Sequence, residues 1–305
     1  MCKSRIPQPA GPIPGPDTGN GTIMAAVRAL VPNHPACAEA LSLAKNSLPA
    51  SILYHSIRVY LYAHAFLRIF QEELTPLDPT LPLPLPLPLS GISGIPTDDP
   101  AAEMTMTTTT TTASPPSSSS SSLLLSSSSS GLFTTTDILG PACIARAPAH
   151  VLFVACLLHD IGTSPDHDVI PERFEVVSAD VAARILRSHG IPEPAVRDAW
   201  LAMSLHTSPG IAERLGGTVR ALRLAVRADF GSYPTPKADL LPGGEDTARV
   251  IRWKLPRLEI EKDLGDAVVR QAFTDPIKAP SASWPGDLLR AKRQDPAWEG
   301  VNPAF

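Results

Sequence analysis

His159 and Asp160 stand side by side at the end of an apolar run, Ala149–His159 (AHVLFVACLLH), and Ile161–Gly162–Thr163 follow them. Two adjacent metal-ligand types at a buried helix end are costly unless something neutralises them, and a divalent cation does so. Two more residues have suitable chemistry. His55 lies within SILYHSIRVYLYAHAF, and Asp229 sits near the end of ALRLAVRADFG. An acidic group in a last helical turn opposes the helix dipole, so Asp229 needs a partner. Two imidazoles and two carboxylates make a plausible site for a hard-to-borderline divalent ion.

Three further side chains are candidates for moving protons or holding substrate. Glu175 follows the His-Asp pair closely and is a candidate acid/base, although a first-turn Glu is also simply favourable to a helix dipole. His206 could stand near the metal or donate to developing negative charge, and the Thr163 hydroxyl could hydrogen-bond substrate. His167, in SPDHD, is a loop histidine within reach of a second metal only if that loop folds back. His64 falls half a turn off the face of His55, towards solvent or core. His34, His150 and His189 read as loop or surface residues.

Other chemistries find no support. The sequence has no GxxxxGK[ST] phosphate loop, no GxGxxG after a strand, no GxSxG elbow and no HExxH helix. Lys and Arg total 26 against 30 Asp and Glu, a net charge of −4, so no basic surplus points to nucleic acid. Arg58 and Arg173 are the only cations well placed to hold a phosphate. Cys2, Cys37, Cys143 and Cys156 form no CxxC pair, and are expected to be free thiols in a reducing compartment. The N-terminus lacks an apolar signal region and no apolar run is long enough to cross a membrane, so a soluble, cytoplasmic protein is expected.

The elements that must position these residues are helical. A short helix over Ala38–Leu48 leads into a longer one, Ser51–Glu73, with apolar residues at helical spacing and Ser51 as a cap. Ala149–His159 alone fits a buried strand or a buried helix. Phe174–His189 is an amphipathic helix stopped by Gly190. Helices follow from Pro192 or Pro194 to about His206, over Leu215–Phe230 and Pro256–Phe273, and over about Pro285–Arg293. No stretch of folded composition sustains a period of two, so the fold class is all-α. Pro is 34 of the 305 residues, about twice the usual ~5%. Residues 1–31 are Pro/Gly-rich, and 74–136 carry LPLPLPLPLS and then Thr and Ser runs. Such segments cannot bury enough apolar area to offset their ordering entropy, so both are expected to be disordered. One domain over 32–280, interrupted by the 74–136 insertion and followed by a tail over 281–305, is the organisation expected.

The order His55, His159–Asp160, Asp229 on helices resembles the HD superfamily of metal-dependent phosphohydrolases. The strings YHSIRVY (54–60), LLHDIGT (157–163), RFEVVSADVAARIL (173–186), LHTS (205–208) and ADFG (228–231) resemble its cyanamide hydratase-like branch in fungi. The resemblance covers roughly 35–75 and 145–280. It implies an HD-domain helical bundle and one metal held by His55, His159, Asp160 and Asp229. That metal is expected to be Zn²⁺, with Mn²⁺, Mg²⁺ or Fe²⁺ as alternatives. The activity implied is hydration of cyanamide, or a similar small nitrile, to urea. Zinc lowers the pKa of bound water to about 7 and so provides hydroxide at neutral pH. Two other functions are kept. One is an HD-type phosphohydrolase acting on a nucleotide or other phosphomonoester. The other is an inactive HD-fold remnant or scaffold, motivated by the insertion ahead of the His-Asp segment. The expected partner is a small-molecule substrate, with neither nucleic acid nor membrane. A homo-oligomer is conceivable through Trp284, Trp298 and Phe305.

Overall fold

The apolar run that fits either strand or helix is a helix. In this computed structural model, which describes residues 28–74 and 148–299, Ala149–Leu158 is α-helical and every residue from Val151 to Leu158 is buried. An all-apolar helix shows no periodicity because it has no solvent face, so pattern alone could not separate it from a strand. The readings for residues 1–27, for 75–136 and for Phe305 lie outside the described residues.

Among the described residues there are nine α-helices and no strands. In chain order they are α1 (Pro35–Ser47), α2 (Ala50–Leu74), α3 (Ala149–Leu158), α4 (Phe174–Ser188) and α5 (Glu193–Leu205). There follow α6 (Gly217–Asp229), α7 (Gly244–Lys254), α8 (Ile260–Thr274) and α9 (Trp284–Gln294). Helix α2 packs along α6 and α3, and α5 packs against α4, α6 and α3. The chain therefore wraps its long second helix and its most apolar third helix into the centre. Burial of each large side chain there, such as Leu152, Phe153, Leu157 and Leu158, contributes about 1.5–3 kcal/mol. The residues that end α3 are thus held by one of the best-buried segments in the fold.

Helix ends follow the local chemistry. Gly190 takes φ 72° just past the α4 C-cap, and Ile191 N–H returns to Leu186 C=O at 3.1 Å. This is the left-handed stop that the glycine predicts. Several boundaries differ from expectation, and the first helix begins at Pro35, ahead of Ala38. The helix expected over Leu215–Phe230 begins only at Gly217, after left-handed Gly216. The helix expected over Pro256–Phe273 begins at Ile260, because Leu258 takes φ 51° and breaks the run. Helix α7 was not expected at all. Its sequence is mostly polar and only Thr247 is buried, so few apolar residues mark it.

The C-terminal segment covers its own domain. Trp284 is largely buried, with its ring 5.9 Å from that of Phe174, and Trp298 packs against the main core. Trp284 and Trp298, two of the three aromatic residues offered for another subunit, thus pack within the chain.

The turn after the His-Asp pair is locked from three sides. Gly162 N–H donates to Ser178 Oγ at 2.8 Å, and Gly162 C=O accepts from Gln271 Nε2 at 2.8 Å. A Cβ at Gly162 would lie 2.2 Å from the Phe174 carbonyl oxygen. That oxygen is backbone and cannot swing aside. Gly162→Ala is therefore expected to cost about 1–3 kcal/mol by overpacking. A thermal unfolding midpoint equal to that of the wild type would refute the close approach.

Candidate metal centre

Three imidazoles converge on one carboxylate, each held from behind by Nδ1. His159 is the C-cap of α3, and its Nδ1 lies 2.7 Å from Cys156 C=O. His206 is the C-cap of α5, and its Nδ1 lies 2.6 Å from Met203 C=O. The last carbonyls of a helix have no intrahelical partner, so each ring uses an acceptor that its own helix leaves open. A carbonyl only accepts, so Nδ1 carries the proton in both rings and the neutral form offers a bare Nε2. His55 lies inside α2, and its Nδ1 is 2.7 Å from Asp229 Oδ2. An ionised carboxylate also only accepts, so His55 has the same tautomer.

The three Nε2 atoms then face Asp160. From Oδ2, His159 Nε2 is 3.1 Å away and His55 Nε2 is 3.7 Å away. His206 Nε2 is 3.5 Å from Oδ1, and the Nε2 atoms of His159 and His55 are 3.3 Å apart. All four residues are buried, and neither oxygen of Asp160 has a hydrogen-bond partner of acceptable geometry. Ligand atoms of His55, His159 and Asp160 all lie within 4.8 Å of one another. This is a buried cluster of lone pairs with almost no donors, an arrangement that fits a cation. Two imidazoles and a carboxylate suit a borderline divalent ion.

Electrostatics agree. Burial pushes the Asp160 carboxyl up, but the adjacent imidazoles of His159 and His206 outweigh it and hold the group well below the usual carboxylate range. Burial pushes His159 down, and the Asp160 carboxylate overrides it, so the net direction is up. His55 is lowered by burial, against the pull of Asp229. The centre attracts positive charge, whether as a proton or as a metal.

Residues 136–255 match the HD domain family. Over that segment the chain is similar to HD domains. No curated protein matches the chain. The matched segment of the HD domain holds His159, Asp160, Glu175, His206 and Asp229, whereas His55 on α2 precedes it. HD domains bind divalent metals, and the cluster above gives this one a place to do so.

Other expected site residues stand differently within the HD domain. Asp229 was expected among the ligands, but it lies behind His55. Its Oδ1 and Oδ2 accept from Arg58 Nε and Nη2 at 2.7 and 2.8 Å, and Oδ2 also accepts from His55. The carboxylate thus lies against the His55 ring, outside the three-residue cluster. The partner that its place at a helix end demanded is Arg58, reinforced by Arg257 at 3.5 Å. Burial raises the Asp229 carboxyl, but hydrogen bonds from Arg58 and His55 win and keep it well below the usual range.

Thr163 was expected to touch substrate, but its hydroxyl donates to Asp160 C=O at 2.7 Å and tightens the turn. Glu175 was expected to move protons. It is fully buried, ion-paired with Arg173, and its Oε1 accepts from the Thr207 hydroxyl at 2.7 Å. Both side chains are thereby tied to the structure around the centre. Of the three, His206 is the one whose free nitrogen faces Asp160. Arg58 and Arg173, the candidate phosphate holders, are paired with Asp229 and Glu175. His167 ends a single 3-10 turn, Pro165–His167, its neighbour Asp168 is ion-paired with Arg270, and it is no part of the cluster.

Proposed function

We propose that this chain is a metal-dependent hydratase that adds water across the nitrile of cyanamide, or of a similarly small nitrile, giving urea from cyanamide. The observation that carries the reading is the burial of an acceptor-lined centre beside which the Arg58 guanidinium is already committed to Asp229. Such a site suits a small uncharged substrate better than a phosphate dianion, which needs cations to hold it. Zinc is the metal proposed, since imidazole and carboxylate ligands suit it, with Mn²⁺, Mg²⁺ and Fe²⁺ as alternatives.

His55, His159 and Asp160 would hold the ion, with His206 beside them at Asp160 Oδ1. A divalent ion at this place supplies Lewis acidity, lowering the pKa of water towards neutrality. The chain's own residues do the rest. The i−3 carbonyls and Asp229 fix all three rings before substrate arrives, so no reorientation is needed during reaction. His206 Nε2 is the nitrogen placed to take a proton from water and return it to the nitrile nitrogen as the C–O bond forms. Isourea then tautomerises to urea. Phe174, whose ring is 5.8 Å from His206 and 5.9 Å from Trp284, gives the His206 side an apolar wall.

A phosphohydrolase is the second reading, and one cavity favours it. Arg173, Arg223 and Arg290 line a space of about 410 Å³ together with Thr207 and Ser208, which directly follow His206. Each guanidinium already has a partner, however. Arg173 pairs with Glu175, Arg223 with Glu213 and the His206 carbonyl, and Arg290 with Asp287. The scaffold reading is disfavoured by the convergence of His55, His159 and Asp160.

Urea release from cyanamide by zinc-loaded protein, with His159→Ala alongside, tests the proposal. Urea from the wild type and none from the variant is the expected result. Zinc binding without urea, but with phosphate released from a phosphomonoester panel, would replace this reading with the second.

A further inference from the structure

Beside His206 lies a cavity of about 410 Å³, inside the span of about 300–1,000 Å³ common to small-molecule sites. None of His55, His159, Asp160 and His206 lines it. Its link to the centre runs through backbone, since Arg223 lines the cavity and donates from Nη1 to His206 C=O at 3.0 Å. Three helices bring a guanidinium to it. Arg173 is the N-cap residue of α4, Arg223 lies in α6 and Arg290 in α9. Arg223 is nearly buried and Arg290 is half-exposed, so the first forms the floor and the second the rim. The ion pairs around the cavity do not cancel. Arg173 pairs with Glu175, Arg290 with Asp287, and Arg223 shares Glu213 with Arg227, at 2.9 and 3.6 Å. Four guanidinium groups thus meet three carboxylates, which leaves one positive charge. Glu175 and Glu213 do not line the cavity, so both of their pairs turn the cationic side to it, and Asp287 is the one acid among the lining residues. Pairing does not use up the donors either. A guanidinium carries five N–H groups, and Arg173 engages Glu175 through Nε and Nη2.

We propose that this cavity binds the carboxylate of a small organic acid, with Arg223 beneath the carboxylate and Arg173 and Arg290 at its sides. One surplus charge matches a monoanion, whereas a phosphate dianion brings two negative charges to a wall whose arginines are already paired. The two coplanar oxygens of a carboxylate also match the guanidinium fork. Trp284 and Ile211 line the same space and give the organic part an apolar wall. No residue of the metal centre takes part, so the inference goes beyond the proposed function and depends neither on cyanamide nor on zinc.

The experiment titrates the full chain, zinc-free and zinc-loaded, with benzoate, benzamide and phenyl phosphate by isothermal calorimetry. The three probes share a ring and differ in head group: a monoanion, a neutral amide and a dianion. Benzoate is expected to bind saturably, one per chain, equally with and without zinc, and about tenfold or more tightly than the other two. Arg223→Lys keeps the charge and loses the planar fork, and Arg290→Gln removes the guanidinium at the rim. Each is expected to weaken benzoate about 10–100-fold, the loss of a hydrogen bond to a charged group. Arg290 is half-exposed, so its variant keeps the proposal testable even if Arg223→Lys fails to fold. Benzoate that binds only the zinc-loaded protein sits on the metal, and that result would overturn the proposal. So would benzamide or phenyl phosphate binding as tightly as benzoate, or no saturable binding of benzoate at all. Unchanged benzoate affinity in either variant that folds would overturn it as well.

Discussion

Replacing Arg58 by Met lowers the unfolding midpoint on the order of 10 °C. The Asp229 carboxylate is buried, and Arg58 supplies two of its hydrogen bonds and its main countercharge. Removing one partner of such a pair leaves an uncompensated buried charge, at a cost of about 3–5 kcal/mol. For a domain of this size each kcal/mol shifts the midpoint by about 2–4 °C. The double variant Arg58→Met/Asp229→Leu should regain most of the loss, because it removes the stranded charge as well. The pH dependence has a definite sign. In the wild type the Asp229 pKa is depressed, so its contribution is complete above the ordinary carboxylate value and is lost only as pH falls below it. Without the guanidinium, burial pulls the carboxyl upwards and acid destabilisation starts at higher pH. Midpoints measured from pH 3 to pH 8 on both variants check this. A single variant that loses under about 1 kcal/mol, as exposed pairs do, would contradict it.

Asp160→Asn is expected to separate stability from metal binding. The wild-type carboxylate is buried against imidazoles without a hydrogen-bond partner of acceptable geometry. An amide of the same shape carries no charge and can donate to a bare Nε2. The metal-free variant gains that hydrogen bond and loses the pull between the carboxylate and its imidazoles, so its own unfolding midpoint is the baseline for its zinc shift. Zinc at about a thousandfold over its Kd should add about 4 kcal/mol to the wild type, or about 8–16 °C. The variant should lose nearly all of that shift. Scanning calorimetry with and without zinc measures both effects. A zinc shift that survives in Asp160→Asn would remove this residue from the ligand set.

How far the sequence carried depends on the kind of contact. Amphipathic helices such as α4 were legible because their apolar spacing and their stop at Gly190 are local. Helix α7 was not, since it is mostly polar and its short apolar face, with Ala248, Val250 and Ile251, is only partly buried. The break at Leu258 was hidden for another reason. A left-handed leucine leaves no mark in composition, and it is held by the pinned segment around it. At the centre, the residue types pointed to His55, His159, Asp160 and Asp229. The contact of Asp229 with His55 Nδ1 was not legible, because it depends on which nitrogen of the ring faces α6. A clue was present: an acidic residue at a helix end needs a cation, and Arg58 was the cation on the facing helix.

The most direct test of the central claim is the metal content of the protein itself. Purified chain is loaded with zinc, freed of excess by gel filtration and analysed for bound ion per chain. His55→Ala and His159→Ala are run beside it, with His150→Ala as a control, since His150 stacks on His34 away from the centre. One ion per chain in the wild type and in His150→Ala, with none retained by the other two variants, is the predicted result. Equal retention by all four proteins, or no ion on the wild type, would contradict the assignment of the metal to His55, His159 and Asp160.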